Sequence, residues 1–329
     1  MLLSPIMPVV AETLNPAMHI PDGFLSLTIS IIFWVVTAVL LVIATRRTQG
    51  ELGERQIPLM GIMAAFIFAA QMLNFPVAGG TSGHLLGGVL AAIMLGPWAG
   101  MLVMASVIAL QGLLFQDGGL VVMGANIFNM GLVPALIGYG LYRGVTGRSR
   151  GVRLAVAGVA AWLSVVGAAL IASLQLWLSG TSPLTVVVPA MLGVHVFIGL
   201  GEALITVAAL AFVMRVRPEL MEAKQVEARG GWGWVVTGLL MSLAVVLLSP
   251  LASTDPDGLE RVAQNMGFLG RGLSAPYQLL PDYTIPFLGQ THLSTIVAGL
   301  VGALLVAAIV IGLGRLLRHA PKAAAEQHS

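Results

Sequence analysis

The sequence predicts an all-α polytopic membrane protein of about nine transmembrane helices, a seven-helix core followed by a two-helix block. Three observations carry that prediction. Of 329 residues, 57% are hydrophobic and only 9% are charged, where a soluble domain carries roughly 25% charged residues. Apolar runs of membrane-spanning length recur along the chain, and a bilayer core needs about 20 such residues per helix. The basic residues sit in short clusters between alternate runs, which is how membrane topology is written into a sequence.

The candidate spans run roughly over 26–45, 58–75, 84–95, 97–115, 120–142, 152–178, 186–214, 233–249 and 291–314. The third is too short to cross unless it is tilted or half-buried in protein. Arg46, Arg47 and Arg55 follow the first span; Arg143, Arg148, Arg150 and Arg153 follow the fifth. Arg215, Arg217, Lys224 and Arg229 follow the seventh, and Arg315, Arg318 and Lys322 the last. With the N-terminus outside and the C-terminus cytoplasmic, all of these lie on the cytoplasmic side, and only Arg261 and Arg271 lie outside. Forty glycines fit the same class, because small residues let membrane helices approach closely. The basic residues form no single patch, so the pI near 9.3 does not point to nucleic acid.

The chain divides further. Residues 1–17 are mildly apolar but lack a basic n-region, and read as a dispensable leader or a start placed too early. Residues 18–214 form the first block, and the polar stretch 215–232 reads as a cytoplasmic linker. Residues 233–316 form the second block, with an external loop over 250–290 rich in Pro, Gly and Asp, and 317–329 is a cytoplasmic tail.

There is no cysteine, which removes thiolate ligands, disulfides and cysteine nucleophiles. Of the six histidines, His319 and His328 fall in the tail and His292 begins the last span. His19 precedes the first span, and His84 follows the Gly-rich stretch Gly79-Gly80-Thr81-Ser82-Gly83, with a short helix expected to start near His84 itself. Both belong at the outer end, where they can meet. Glycines allow the backbone to bend tightly near a ligand, and irregular backbone at membrane depth is tolerated only where it is buried or lines a cavity.

Met18-His19-Ile20-Pro21-Asp22-Gly23-Phe24 resembles the opening of the CbiM/NikM family, the substrate-specific components of energy-coupling-factor cobalt and nickel transporters. NFPVAGGTSGHLLGG around His84, LQGLLFQDGGLVVMGANIFNMG over 110–131 and HVFIGLGEALIT over 195–206 resemble its other signature segments, in order and without large gaps. Thr254 to Glu260 resembles the PDGLE motif of the small CbiN/NikN-like component, so the chain resembles a fusion of the two. The resemblance implies metal held by the Met18 amine, the amide nitrogen and imidazole of His19, and the imidazole of His84. Such a square-planar nitrogen field suits Ni(II), and it weakens in acid because every ligand must lose a proton. Met18 offers a free amine only if translation starts there or a protease exposes it.

The resemblance also implies a CbiQ/NikQ-like transmembrane coupling subunit and a CbiO/NikO-like ATPase, with Ni2+ or Co2+ as cargo rather than cofactor. Cobalt uptake would serve cobalamin biosynthesis. The location implied is a bacterial or archaeal inner membrane, with lipid around the chain. No Walker A sequence is present, nor H-E-x-x-H or G-x-S-x-G, so a transporter subunit is expected rather than an ATPase or hydrolase.

The remaining polar residues divide between structure and function. Glu202 is the one carboxylate well inside an apolar span, and it shares a helical face with His195. Asn74, Ser82, Gln111, Asn126 and Asn129 either join helices or orient His84. Asp117, Asp255, Asp257 and Glu260 read as a solvated external loop. A self-sufficient secondary transporter is the first rival, but such proteins carry several intramembrane ionisable groups and internal repeats. A membrane enzyme is the second, and it lacks a catalytic constellation.

Overall fold

The computed structural model describes residues 19–221 and 233–319. Met18, the leader, most of the linker and the end of the tail lie outside the described residues.

Helices dominate. They are α1 Leu27–Thr48, α2 Gln56–Gln71, α3 Gly88–Leu95, α4 Pro97–Leu110, α5 Met123–Ile127, α6 Val133–Tyr142, α7 Arg150–Leu178, α8 Leu184–Val216, α9 Gly233–Leu248, α10 Gly258–Met266 and α11 His292–His319. Among the described residues, six helices are long and apolar enough to cross a membrane, and α2 is a shorter apolar helix of 16 residues. The protein is a multi-pass integral membrane protein. Its helical periphery is correspondingly apolar: Ile31, Val35 and Val39 on α1, Leu204 on α8, Leu240 on α9 and Leu304 on α11 are all exposed. Such side chains can face hydrocarbon because every helical backbone bond is satisfied internally.

The third expected span is the one that differs most. Only Gly88–Leu95 is helical there, about 12 Å at 1.5 Å per residue, far short of a bilayer core. Residues 75–83 instead form a β-hairpin, with β1 Phe75–Val77 paired antiparallel to β2 Thr81–Gly83. The helix therefore does not start at His84. Gly87, with φ +82°, supplies the left-handed turn that precedes it, a conformation that only glycine adopts readily.

Among the six long helices the one that contains α4 is the most buried, at 61%, against 22% for α1 and 17% for α9, and the shorter α2 and α3 are buried along most of their length. α7 packs along α8, α3 fits between α4 and α6, and α9 and α11 both pack on α2. Two continuations are π-helical, Gln111–Phe115 after α4 and Phe128–Leu132 between α5 and α6, a local irregularity common near functional sites. α10 lies in the 250–290 segment and is capped by Asp257, whose carboxylate accepts the Glu260 N–H at 2.6 Å.

Candidate metal centre

Three histidines from distant parts of the chain line one cavity of about 90 Å3: His19, His84 and His195. Asn126, Asn129 and Asp257 also line it, with apolar walls from α7 and Met191 of α8. The rings of His19 and His84 stand edge-to-face, their centroids 5.7 Å apart.

Each ring has its Nδ1 turned to a main-chain carbonyl. His19 bonds Asp117 at 2.9 Å, His84 bonds Leu85 at 3.0 Å and His195 bonds Met191 at 2.7 Å. A carbonyl only accepts, so each Nδ1 donates and each neutral ring leaves its basic lone pair on Nε2. In His19, which is 2% exposed, Nε2 is buried without a hydrogen-bond partner. An unpaired buried acceptor is costly. Among the described residues, no three His, Asp or Glu side chains converge closely enough to hold a metal alone.

The walls are held by backbone-directed polar groups. Glu202, fully buried on α8, accepts the N–H groups of Leu86 and Gly87 at 2.6 and 3.0 Å. This carboxylate therefore fixes the segment that carries His84 rather than pointing into the cavity. Asn126 grips Ile20 on both sides, accepting its N–H at 3.1 Å and donating to its carbonyl at 3.0 Å. Asn129 lines the cavity but its amide pairs reciprocally with Gln175 of α7, at 2.7 and 3.0 Å, so it joins helices. Gln111 is fully buried and does not line the cavity.

Asn74 and Ser82 hold the 250–290 segment instead. Ser82 donates its hydroxyl to the Asp255 carbonyl at 2.7 Å and its N–H to the Pro256 carbonyl at 2.9 Å, and it pairs in parallel with Asp257. The Asn74 carbonyl accepts the Ser253 N–H at 2.8 Å. The PDGLE segment thus lies beside β2, joined to it by a single parallel bridge. Gly258 brings it down onto α8, where an added Cβ would stand 2.8 Å from both His195 Cε1 and Ile198 Cδ1.

The reading of the four acidic residues as a solvated loop fails for two of them. Asp117 is 5% exposed and Asp257 is 7% exposed. Asp117 accepts a 2.6 Å bond from Tyr283, a residue of the second block whose ring stacks on Phe115 at 4.7 Å. Burial pushes the Asp257 carboxyl up to about 8, despite the N–H bonds it accepts at the start of α10. Beside it, Asp117, Asp255, Asp257, Glu260 and Asp282 border a second cavity of about 200 Å3. The PDGLE motif was visible in the sequence. That it folds back against the histidine cavity was not, because the pairing joins residues more than 170 positions apart.

Known proteins share this architecture. Residues 19–220 match the model of the cobalt uptake substrate-specific transmembrane region, CbiM, and residues 232–319 match the PDGLE domain. A putative fused nickel transport protein NikMN of Archaeoglobus fulgidus is 37% identical over 92% of this chain and 100% of its own length. The fused nickel transport protein NikMN of Rhodobacter capsulatus is 30% identical over 90% of this chain and 96% of its own. The cobalt transport protein CbiM of Sorangium cellulosum is 34% identical over 64% of this chain and 96% of its own. A crystal structure of a truncated transition metal transporter superposes with a TM-score of 0.54 and 30% identity, over 60% of this chain and 98% of that one. The chain belongs to the CbiM family and carries a PDGLE domain behind its CbiM region.

Proposed function

We propose that this chain captures Ni2+ or Co2+ at the outer face of the membrane as the substrate-specific component of an ATP-driven energy-coupling-factor importer. The observation that carries the reading is the meeting of His19 and His84 in one buried cavity. The names of the relatives support the cargo. Two imidazoles do not complete a coordination sphere, so further donors are needed. The Met18 amine and the His19 amide nitrogen would complete a square-planar nitrogen set; Met18 lies outside the described residues.

A chelate between the His19 amide and its own ring closes through Nδ1, the ring nitrogen nearer the backbone. Loading therefore takes Nδ1 from the Asp117 carbonyl, and the ring turns within the cavity. The Glu202 clamp and the Ser82–Asp255 contact keep the His84 segment in place while this happens. The energy for release would come from a CbiO/NikO-like ATPase acting through a CbiQ/NikQ-like coupling subunit.

Nickel titration of two purified proteins tests the site, one beginning at Met18 and one carrying residues 1–17. Tight binding by the Met18 form alone, lost in His84→Ala, is the expected result. Equal binding by both forms removes the amine from the ligand set, and undiminished binding by His84→Ala removes the site. Uptake in cells tests the coupling: it should require both partner subunits and survive an uncoupler that spares ATP.

A further inference from the structure

The segment 19–22 carries His19 into the cavity, yet it has no helix of its own and only a bridge-like contact on one side. What holds it is chiefly the carboxylate of Asp22. Asp22 Oδ2 accepts the Leu120 N–H at 3.0 Å, and Oδ1 accepts those of Val121 and Val122 at 2.9 and 3.1 Å. Three consecutive donors converge on one side chain. They are the amides of the three residues that lead into α5. Charge-assisted bonds of this kind are roughly twice as strong as neutral ones.

The neighbouring contacts extend the grip along the strand. The Ile20 carbonyl accepts the Gly119 N–H at 2.9 Å, Asn126 holds both sides of Ile20, and His19 Nδ1 rests on the Asp117 carbonyl. On the far side the Asp22 carbonyl accepts the Leu273 N–H at 2.8 Å. Gly119 has no side chain for a steric reason: a Cβ there would overlap Asp22 Oδ1. The segments 19–22 and 117–122 therefore dock as one unit, with the Asp22 carboxylate at the joint facing three donors.

We infer that Asp22 is a positioning residue of the metal centre. It touches no metal; it sets where the His19 amide and ring stand relative to His84. The inference rests on the metal-binding reading above. Partners that orient a metal ligand typically contribute 10–100-fold in affinity. An asparagine is the same size, but it replaces one acceptor oxygen with an NH2 that opposes a donor N–H. A Gly119→Ala change displaces Asp22, main chain and carboxylate together, while leaving its charge intact.

The test uses the protein beginning at Met18, in detergent, as wild type, His84→Ala, Asp22→Asn, Gly119→Ala and the Asp22→Asn/Gly119→Ala double variant. Each is titrated with Ni2+, and the ligand-field absorption and metal-free melting temperature are recorded. Reaction of His19 with diethyl pyrocarbonate is followed by mass spectrometry in metal-free protein. Asp22→Asn and Gly119→Ala should each bind nickel about 10–100-fold more weakly with an altered absorption band. The double variant should be no worse than the single ones, because both break the same joint. His19, protected in the wild type, should react at least about tenfold faster in both variants, with melting little changed in Asp22→Asn and lowered in Gly119→Ala.

Wild-type affinity and an unchanged band in Asp22→Asn, alongside loss of binding in His84→Ala, overturn the assignment. If His84→Ala binds as tightly as wild type, the metal-site reading falls instead. The role of Asp22 is then decided by His19 reactivity: faster modification upholds the clamp, and an unchanged rate removes it.

Discussion

Few of the buried polar side chains in this protein face the cavity; most of them hold main chain. Glu202, Asn126 and Ser82, together with the half-buried Asp22, each bond backbone N–H or C=O groups of a segment that lacks regular structure. Those segments cross or border the apolar region, where an unsatisfied amide is costly. Asp282 is an exception with a measurable consequence. Burial, and next the charge of Asp117, raise its carboxyl to about 6 from an ordinary 3.8. A carboxyl raised on folding favours the folded state when protonated, so stability falls as pH rises from about 4 through 6. Asp282 also has φ +49°, a left-handed conformation that asparagine tolerates well. Asp282→Asn should therefore raise the melting temperature at pH 7 and leave it unchanged at pH 4; a gain at both pH values would assign the effect to something other than the charge.

The helices meet both through large buried side chains and at glycines that let a neighbour approach closely. At Gly302 of α11, a Cβ would overlap the Phe68 ring of α2 and stand 2.8 Å from Phe115 Cζ. At Gly61 of α2, a Cβ would stand 2.6 Å from Ile311 of α11. Close backbone approach of this kind is the main attractive device between membrane helices, since lipid offers no hydrophobic drive. Gly302→Val should overpack the α2–α11 contact and destabilise the protein by about 1–3 kcal/mol, read from denaturant unfolding in detergent. A neutral result would mean that α11 is free to shift along α2. The same ring cluster, Phe68, Phe115 and Tyr283, links the α2–α11 contact to Asp117. Overpacking at Gly302 should therefore also weaken nickel binding, although it lies on no ligand.

On the scale of the whole molecule, the CbiM region and the PDGLE region interlock at two levels. α9 and α11 pack on α2. At the histidine end, the PDGLE segment adds to the β-hairpin, Leu273 pairs with Asp22, and Arg261 bonds the Gly80 carbonyl. An apolar cluster made of Ile20, Phe24, Met191, Leu259, Val262 and Phe268 draws on both regions. An interface this extensive and this buried does not need a covalent linker. Two separate chains, one ending after Met221 and one starting at Gly233, should co-purify when expressed together. Recovery of the first chain alone would show that the two regions meet only because they are tethered.

The membrane class and nearly every helix were legible in the sequence, because length and apolarity alone decide whether a segment can leave water. The meeting of His19 with His84 was legible through motif resemblance, and Glu202 through its isolation in an apolar run. The β-hairpin at 75–83 was not, because Pro76 and three glycines carry no strand pattern. Nor were the burial of Asp117 and Asp257, the Tyr283 contact or the Asp22 clamp. Each depends on a partner about 100 or more positions away. Hydropathy reads each residue against solvent, so an acidic residue in a loop is assigned to water. Only the tertiary structure decides that the loop folds back over the cavity, and that its carboxylates find N–H and O–H donors there.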